Sequence, residues 1–120
     1  MISPRLYAIV PRTLYDKKGN NITMTCGRMA AQVAHIMGKI AKAGIDTPSI
    51  DLIILQVSNS KELEKVKSEL VISSVDHEEY LDTNKAYEGE LLTALALYPI
   101  ERGSCAALRE LKPWVCACNI

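Results

Sequence analysis

Three largely apolar runs punctuate the chain: Leu6-Tyr7-Ala8-Ile9-Val10, the stretch from Asp51 to Val57, and Leu91 to Tyr98. Runs of this kind, without the in-out alternation of a half-exposed strand, are the mark of strands covered on both faces. Pro11 is expected to end the first strand and Pro99 the last. Residues 12 to 25 alternate loosely around Asp16-Lys17-Lys18-Gly19-Asn20-Asn21, so Leu14-Tyr15 and Ile22-Thr23-Met24 are expected to pair as a hairpin, a candidate lid. From Gly27 to Lys42 the chain is rich in alanine and free of proline, which predicts a helix with Thr25 capping its start and Gly44 its end. Ser58-Asn59-Ser60 supplies the cap of a second helix to about Leu70, with Leu63, Val66 and Leu70 on one face. Val71 to Tyr80 reads as a weaker strand and Ser104 to Leu111 as a short helix. The order β-α-β-α-β-β-α predicts an α/β fold: one three-layer domain over residues 1–120, with a four-stranded mixed sheet and helices on both faces.

Composition agrees with this size of fold. With 120 residues, 48% of them apolar, the chain holds one ordinary core and not two. No apolar run is long enough for a membrane helix, and Met1-Ile2-Ser3-Pro4-Arg5 lacks a signal-peptide core, so a cytoplasmic protein with no membrane partner is expected. Cys26, Cys105, Cys116 and Cys118 are too irregularly spaced for a disulfide framework, and reduced thiols are the expectation. Cys116-Ala117-Cys118 lacks the usual zinc spacing and has no histidine near it, so neither metal nor cofactor is expected. The balanced total charge conceals an asymmetry. Residues 1–60 carry seven Lys or Arg against three Asp, and residues 61–120 carry seven against eleven acids, giving +4 and −4. An anionic partner would favour the N-terminal third, where Lys17, Lys18, Lys39 and Lys42 could contact phosphates.

The first predicted helix carries the most chemistry. Arg28, Gln32, His35, Lys39 and Lys42 recur at helical spacing and form a single polar stripe. Such a stripe is ordinarily the solvated face of an amphipathic helix. The functional alternative starts from Arg28 in the first turn, where unpaired amides and the positive dipole end already favour an anion. Histidine is the side chain type whose unperturbed pKa lies nearest neutrality, and His35 would then be a ready general base.

Gly27-Arg28-Met29-Ala30-Ala31-Gln32-Val33-Ala34-His35 resembles the G-K-x-A-A-Q-x-x-H segment of the type II (archaeal and eukaryotic) peptidyl-tRNA hydrolases. The order of the surrounding parts is also similar: Ile9-Val10-Pro11-Arg12 before the helix, the strand-helix unit from Leu52 to Leu70 after it, then Asp82-Thr83-Asn84-Lys85-Ala86 and Leu92-Thr93-Ala94-Leu95. The resemblance implies a small α/β domain, often a homodimer, that hydrolyses the ester between peptide and tRNA without a metal. It implies His35, Asp82 and Thr93 as catalytic residues and Gly27, Arg28, Gln32, Arg12 and Lys39 as substrate-binding ones. Two positions depart from the family pattern: Arg28 replaces a lysine, and Ala86 replaces a threonine. A non-catalytic or altered-substrate relative that binds an RNA end, a nucleotide or a protein partner is the alternative.

Overall fold

The structure is a computed structural model that describes residues 4–84 and 89–116. Among the described residues six strands and two α-helices follow one another: β1 (Arg5–Tyr15), β2 (Asn21–Thr23), α1 (Cys26–Lys42), β3 (Leu52–Asn59), α2 (Ser60–Ile72), β4 (His77–Asn84), β5 (Gly89–Ile100) and β6 (Lys112–Pro113). The strands form one mixed sheet in the order β4-β5-β1-β3-β6, with β2 paired to the end of β1. β1 and β3 run parallel, as the α1 crossover requires, and β5 lies antiparallel to both β1 and β4.

Each face of the sheet carries one helix. Leu6, Ala8, Val10 and Leu14 of β1 turn toward Met29, Val33, Ile36 and Ile40 of α1. Tyr7 and Ile9 turn the other way and pack with Leu55, Leu95 and Leu97 under Leu63, Val66 and Leu70 of α2. Both helices begin on the expected side chains: Thr25 Oγ1 accepts from Arg28 N–H at 3.2 Å, and Asn59 Oδ1 from Glu62 N–H at 3.0 Å. Gly44, at φ +95°, follows α1 in the left-handed conformation that closes a helix.

The sheet has six strands where four are expected, and the reasons are local. Neither proline ends its strand. Pro11 lies between the last β5 partner of β1, Ile9, and its first β2 partner, Thr13, so its missing N–H falls where one neighbour gives way to the next. Pro99 sits in an irregularity between the Tyr7↔Leu97 and Arg5↔Ile100 pairs, where β5 carries one residue more than β1. The expected hairpin forms, with Leu14 opposite Ile22, as a direct prolongation of β1. α2 takes Val71 and Ile72 from the predicted third strand, and β4 starts only at His77. The predicted helix Ser104–Leu111 is instead two single 3-10 turns, Arg102–Ser104 and Ala106–Leu108. After them Lys112 and Pro113 pair with Gln56 and Leu55, and the chain closes the β3 edge of the sheet.

The cysteines also depart from expectation. Cys26, the first residue of α1, is joined by a disulfide to Cys116, while Cys105 is buried and free. Their Cα atoms are 5.9 Å apart, an ordinary separation for a bridge across 90 residues of sequence. Irregular spacing points to reduced thiols, but spacing cannot show that two segments distant in sequence meet. Cys118 lies outside the described residues, as does Ala86.

Candidate functional site

The polar stripe of α1 is not a solvated face along its whole length, because β4 and β5 cover part of it. Gln32 is only 6% exposed and Thr93 wholly buried. They meet: Thr93 Oγ1 donates to Gln32 Oε1 at 2.8 Å, and Gln32 Nε2 donates to Asp82 Oδ2 at 3.2 Å. A hydroxyl, an amide and a carboxylate thus form a directional chain. The carboxylate can only accept, so the amide turns its N–H to Asp82 and leaves its oxygen to the Thr93 hydroxyl. The Thr93 hydroxyl also approaches the Tyr80 carbonyl, at 3.5 Å, but its single hydrogen favours the shorter contact.

A β-bulge aims Thr93. Along β4 and β5 the pairs Tyr80↔Ala94 and Leu81↔Leu92 are consecutive, which leaves Thr93 as an extra residue on β5. Thr93 and its neighbour Ala94 therefore both turn toward α1. On β4 the ordinary alternation brings Glu78, Tyr80 and Asp82 to that same face.

His35 lies one turn beyond Gln32. Its ring stacks on Tyr80 with centroids 5.0 Å apart and planes 15° from parallel, and the residue stays exposed. Lys39, a further turn on, donates from Nζ to the Glu79 carbonyl at 2.7 Å. Gly27 and Arg28 occupy the exposed first turn, Arg28 one turn before Gln32 on the same stripe. Gln32 thus joins Thr93 to Asp82, with His35 and Lys39 continuing the line along β4.

Arg12 belongs to a different neighbourhood. Its Nη1 donates to the Val115 carbonyl at 2.6 Å, and its guanidinium lies 4.4 Å from the centre of the Trp114 ring. Arg12 also lines a cleft of about 370 Å³ at the carboxyl ends of β1 and β3, together with Gln56, Ser58, Glu62 and Lys112, and no member of the Thr93–Gln32–Asp82 chain lines it. The hairpin reaches the start of β5, where Gly89, at φ +144°, leaves room for the Lys17 side chain that a Cβ there would strike. Asp16 ties the hairpin loop by accepting from the Asn20 and Lys18 amides, and these bonds, Asn20's above all, hold its carboxyl below the usual range.

Two further groups, Glu79 on β4 and Tyr98 on β5, have displaced pKa values. Partial burial would raise the Glu79 carboxyl, but hydrogen bonds from His77 and Lys67 outweigh it and hold it low. Tyr98 donates to Glu78 at 2.6 Å, and this bond, with desolvation, pushes its phenol up to about 12. Among the described residues, no cluster of three or more His, Cys, Asp or Glu side chains is placed to hold a metal ion.

Tyr80 is the residue that sequence reasoning missed. Its signal was the i, i+2 spacing to Asp82, which puts both on one face of a strand, but the strand was predicted to stop at Tyr80.

No protein-family model matches the chain, and no curated protein matches it. Among solved structures, the chain is similar to the protein of unknown function Atu0240 from Agrobacterium tumefaciens strain C58, with a TM-score of 0.63 over 96% of this chain and 100% of that one. At 10% identity the likeness is one of fold.

Proposed function

We propose that the protein is a metal-independent esterase of the type II peptidyl-tRNA hydrolase kind, cleaving the ester between a peptide and the terminal ribose of tRNA. The observation that carries this reading is the Thr93→Gln32→Asp82 hydrogen-bond chain beside an exposed His35 and below a first-turn Arg28. Gln32 holds one Asp82 oxygen, and the carboxylate keeps acceptor capacity for a water molecule. Asp82 takes the proton of that water as its oxygen attacks the ester carbonyl; the carbon–oxygen bond to ribose breaks, and the proton passes to the departing ribose oxygen. The Arg28 side chain and the first-turn amides that Thr25 does not cap stabilise the negative charge that develops, or hold a terminal phosphate. His35, oriented by Tyr80, lies at the rim to contact the substrate or relay the proton. Thr93 and Gln32 act through Asp82 as positioning residues, because both are buried.

The cationic side chains of the N-terminal third supply phosphate contacts, so activity falls as salt rises. The protein acts in the cytoplasm as a homodimer under this reading. Release of peptide from peptidyl-tRNA by wild type, Asp82→Asn and His35→Ala tests it. Turnover by wild type and its loss in Asp82→Asn, by about two orders of magnitude or more, is expected. Tight binding of tRNA without release would instead identify a binding module, the reading that Arg28 in place of a lysine favours.

A further inference from the structure

The C-terminal segment is seated on the sheet edge by a short strand, by contacts to Arg12 and by a disulfide, with Trp114 packed against the core on the α1 side. Lys112 and Pro113 form a two-residue strand on β3, and Trp114 N–H donates to the Ile54 carbonyl at 2.8 Å. Beyond them the Trp114 ring and the Val115 carbonyl engage Arg12, and Cys116 is bridged to Cys26. Two buried side-chain polar atoms lack a partner among the described residues, Gln56 Oε1 and Trp114 Nε1, and both lie at this junction. Neither atom gains a protein hydrogen bond from the seating, so release of the segment costs none at these two atoms. The residues that close it border solvent: Cys116 is exposed and Cys26 half-buried.

We propose that Cys26 and Cys116 are a reversible thiol–disulfide site whose oxidised state straps residues 112–116 across Arg12, and whose reduction releases the strap and frees the Arg12 guanidinium. The exchange needs a dithiol reductant. Its thiolate attacks the exposed Cys116 sulfur, the Cys26–Cys116 bond breaks, and Cys26 departs as a thiolate favoured by its place at the start of α1. The second thiol of the reductant then displaces Cys116, the reductant leaves as a disulfide, and the two cysteines have gained two electrons and two protons in all. Release also removes Lys112 from the wall of the cleft at the ends of β1 and β3. That the freed guanidinium then serves an RNA phosphate rests on the proposed function.

Trp114 is the single tryptophan, so its emission reports on the strap directly. Oxidised and dithiol-reduced wild type are compared by thiol-alkylation mass spectrometry, tryptophan emission with iodide quenching, and circular dichroism. On opening of the Cys26–Cys116 bridge, emission is expected to shift to the red and quenching to rise about twofold as the half-buried indole is released, with the helical signal retained. Cys116→Ser shows the released state without reductant, while Cys118→Ser still closes and opens. The proposal is overturned if no Cys26–Cys116 bridge forms under oxidant, if its opening leaves the indole unchanged, if the helical signal is lost with it, or if Cys118→Ser rather than Cys116→Ser abolishes the response. Binding of an RNA acceptor-stem minihelix then tightens between about threefold and tenfold on reduction in wild type, and not in Arg12→Ala. Unchanged affinity in a strap-released protein that binds the minihelix overturns the Arg12 part, whereas no binding in either state counts against the proposed function and leaves the strap standing.

Discussion

The two faces of the sheet solve the same packing problem with different chemistry. Under α2, Leu63, Val66 and Leu70 meet Tyr7, Ile9, Leu55, Leu95 and Leu97, and the buried side chains there are almost wholly apolar. Under α1 the apolar cluster runs out at the β4–β5 side, where a buried glutamine and a buried threonine satisfy each other and reach a half-buried aspartate. Burying polar groups wins little over burying methyl groups, and it becomes costly when a partner is lost. The α2 face is therefore built for stability. The α1 face retains a polar chain, aimed by a bulge that a sheet packed only for stability has no need of.

The largest effect should come from breaking the apolar face. Leu63→Ala, at a side chain with no exposure, is expected to lower stability by about 2–5 kcal/mol in denaturant unfolding while the folded fraction keeps its specific activity. Next, opening the Cys26–Cys116 bridge by Cys116→Ser should cost roughly 2–4 kcal/mol, because a loop of 90 residues is no longer closed in the unfolded chain. The polar face should respond differently. Thr93→Val strands the Gln32 carbonyl and is expected to cost about 1–3 kcal/mol, whereas the pair Thr93→Val with Gln32→Leu should recover much of that loss. A double variant less stable than Thr93→Val alone would erase the distinction between the faces.

The smallest effects are electrostatic. Tyr98 has its pKa raised from 10.0 to about 12, so the stability it contributes is complete below pH 10 and is lost as pH rises through 12; Tyr98→Phe should flatten that alkaline decline in thermal unfolding. Glu79 has its pKa lowered from 4.5, so its contribution is present above that value and fades as the solution is acidified through the lower folded value. Glu79→Gln should cost least in acid, and a cost that grows on acidification would reverse the assigned sign.

Much of the fold was legible because it is written in local pattern. The apolar runs of β1, β3 and β5, the Thr25 and Asn59 caps and the Leu63-Val66-Leu70 face all follow from period and position. What escaped depends on partners far along the chain. Pro11 and Pro99 look like strand ends until the change of neighbours along β1 and the irregularity in β5 are known. The cysteine bridge and the two-residue β6 have no local signal at all. For the site, helical spacing predicted the stripe of Arg28, Gln32, His35 and Lys39 but could not show which part would be covered. That depended on β4 and on a bulge that puts Thr93 and Ala94 on one face, against the period-two rule.

The central claim is that Thr93 acts on Asp82 through Gln32, and a double-mutant cycle in peptide release measures it most directly. Thr93→Val and Asp82→Asn are assayed singly and together under single-turnover conditions. If the chain works as a unit, Thr93→Val slows release by roughly tenfold or more, and adding it to Asp82→Asn slows release little further. Losses that multiply in full would mean that Thr93 and Asp82 act independently, and the hydrogen-bond chain would be packing alone.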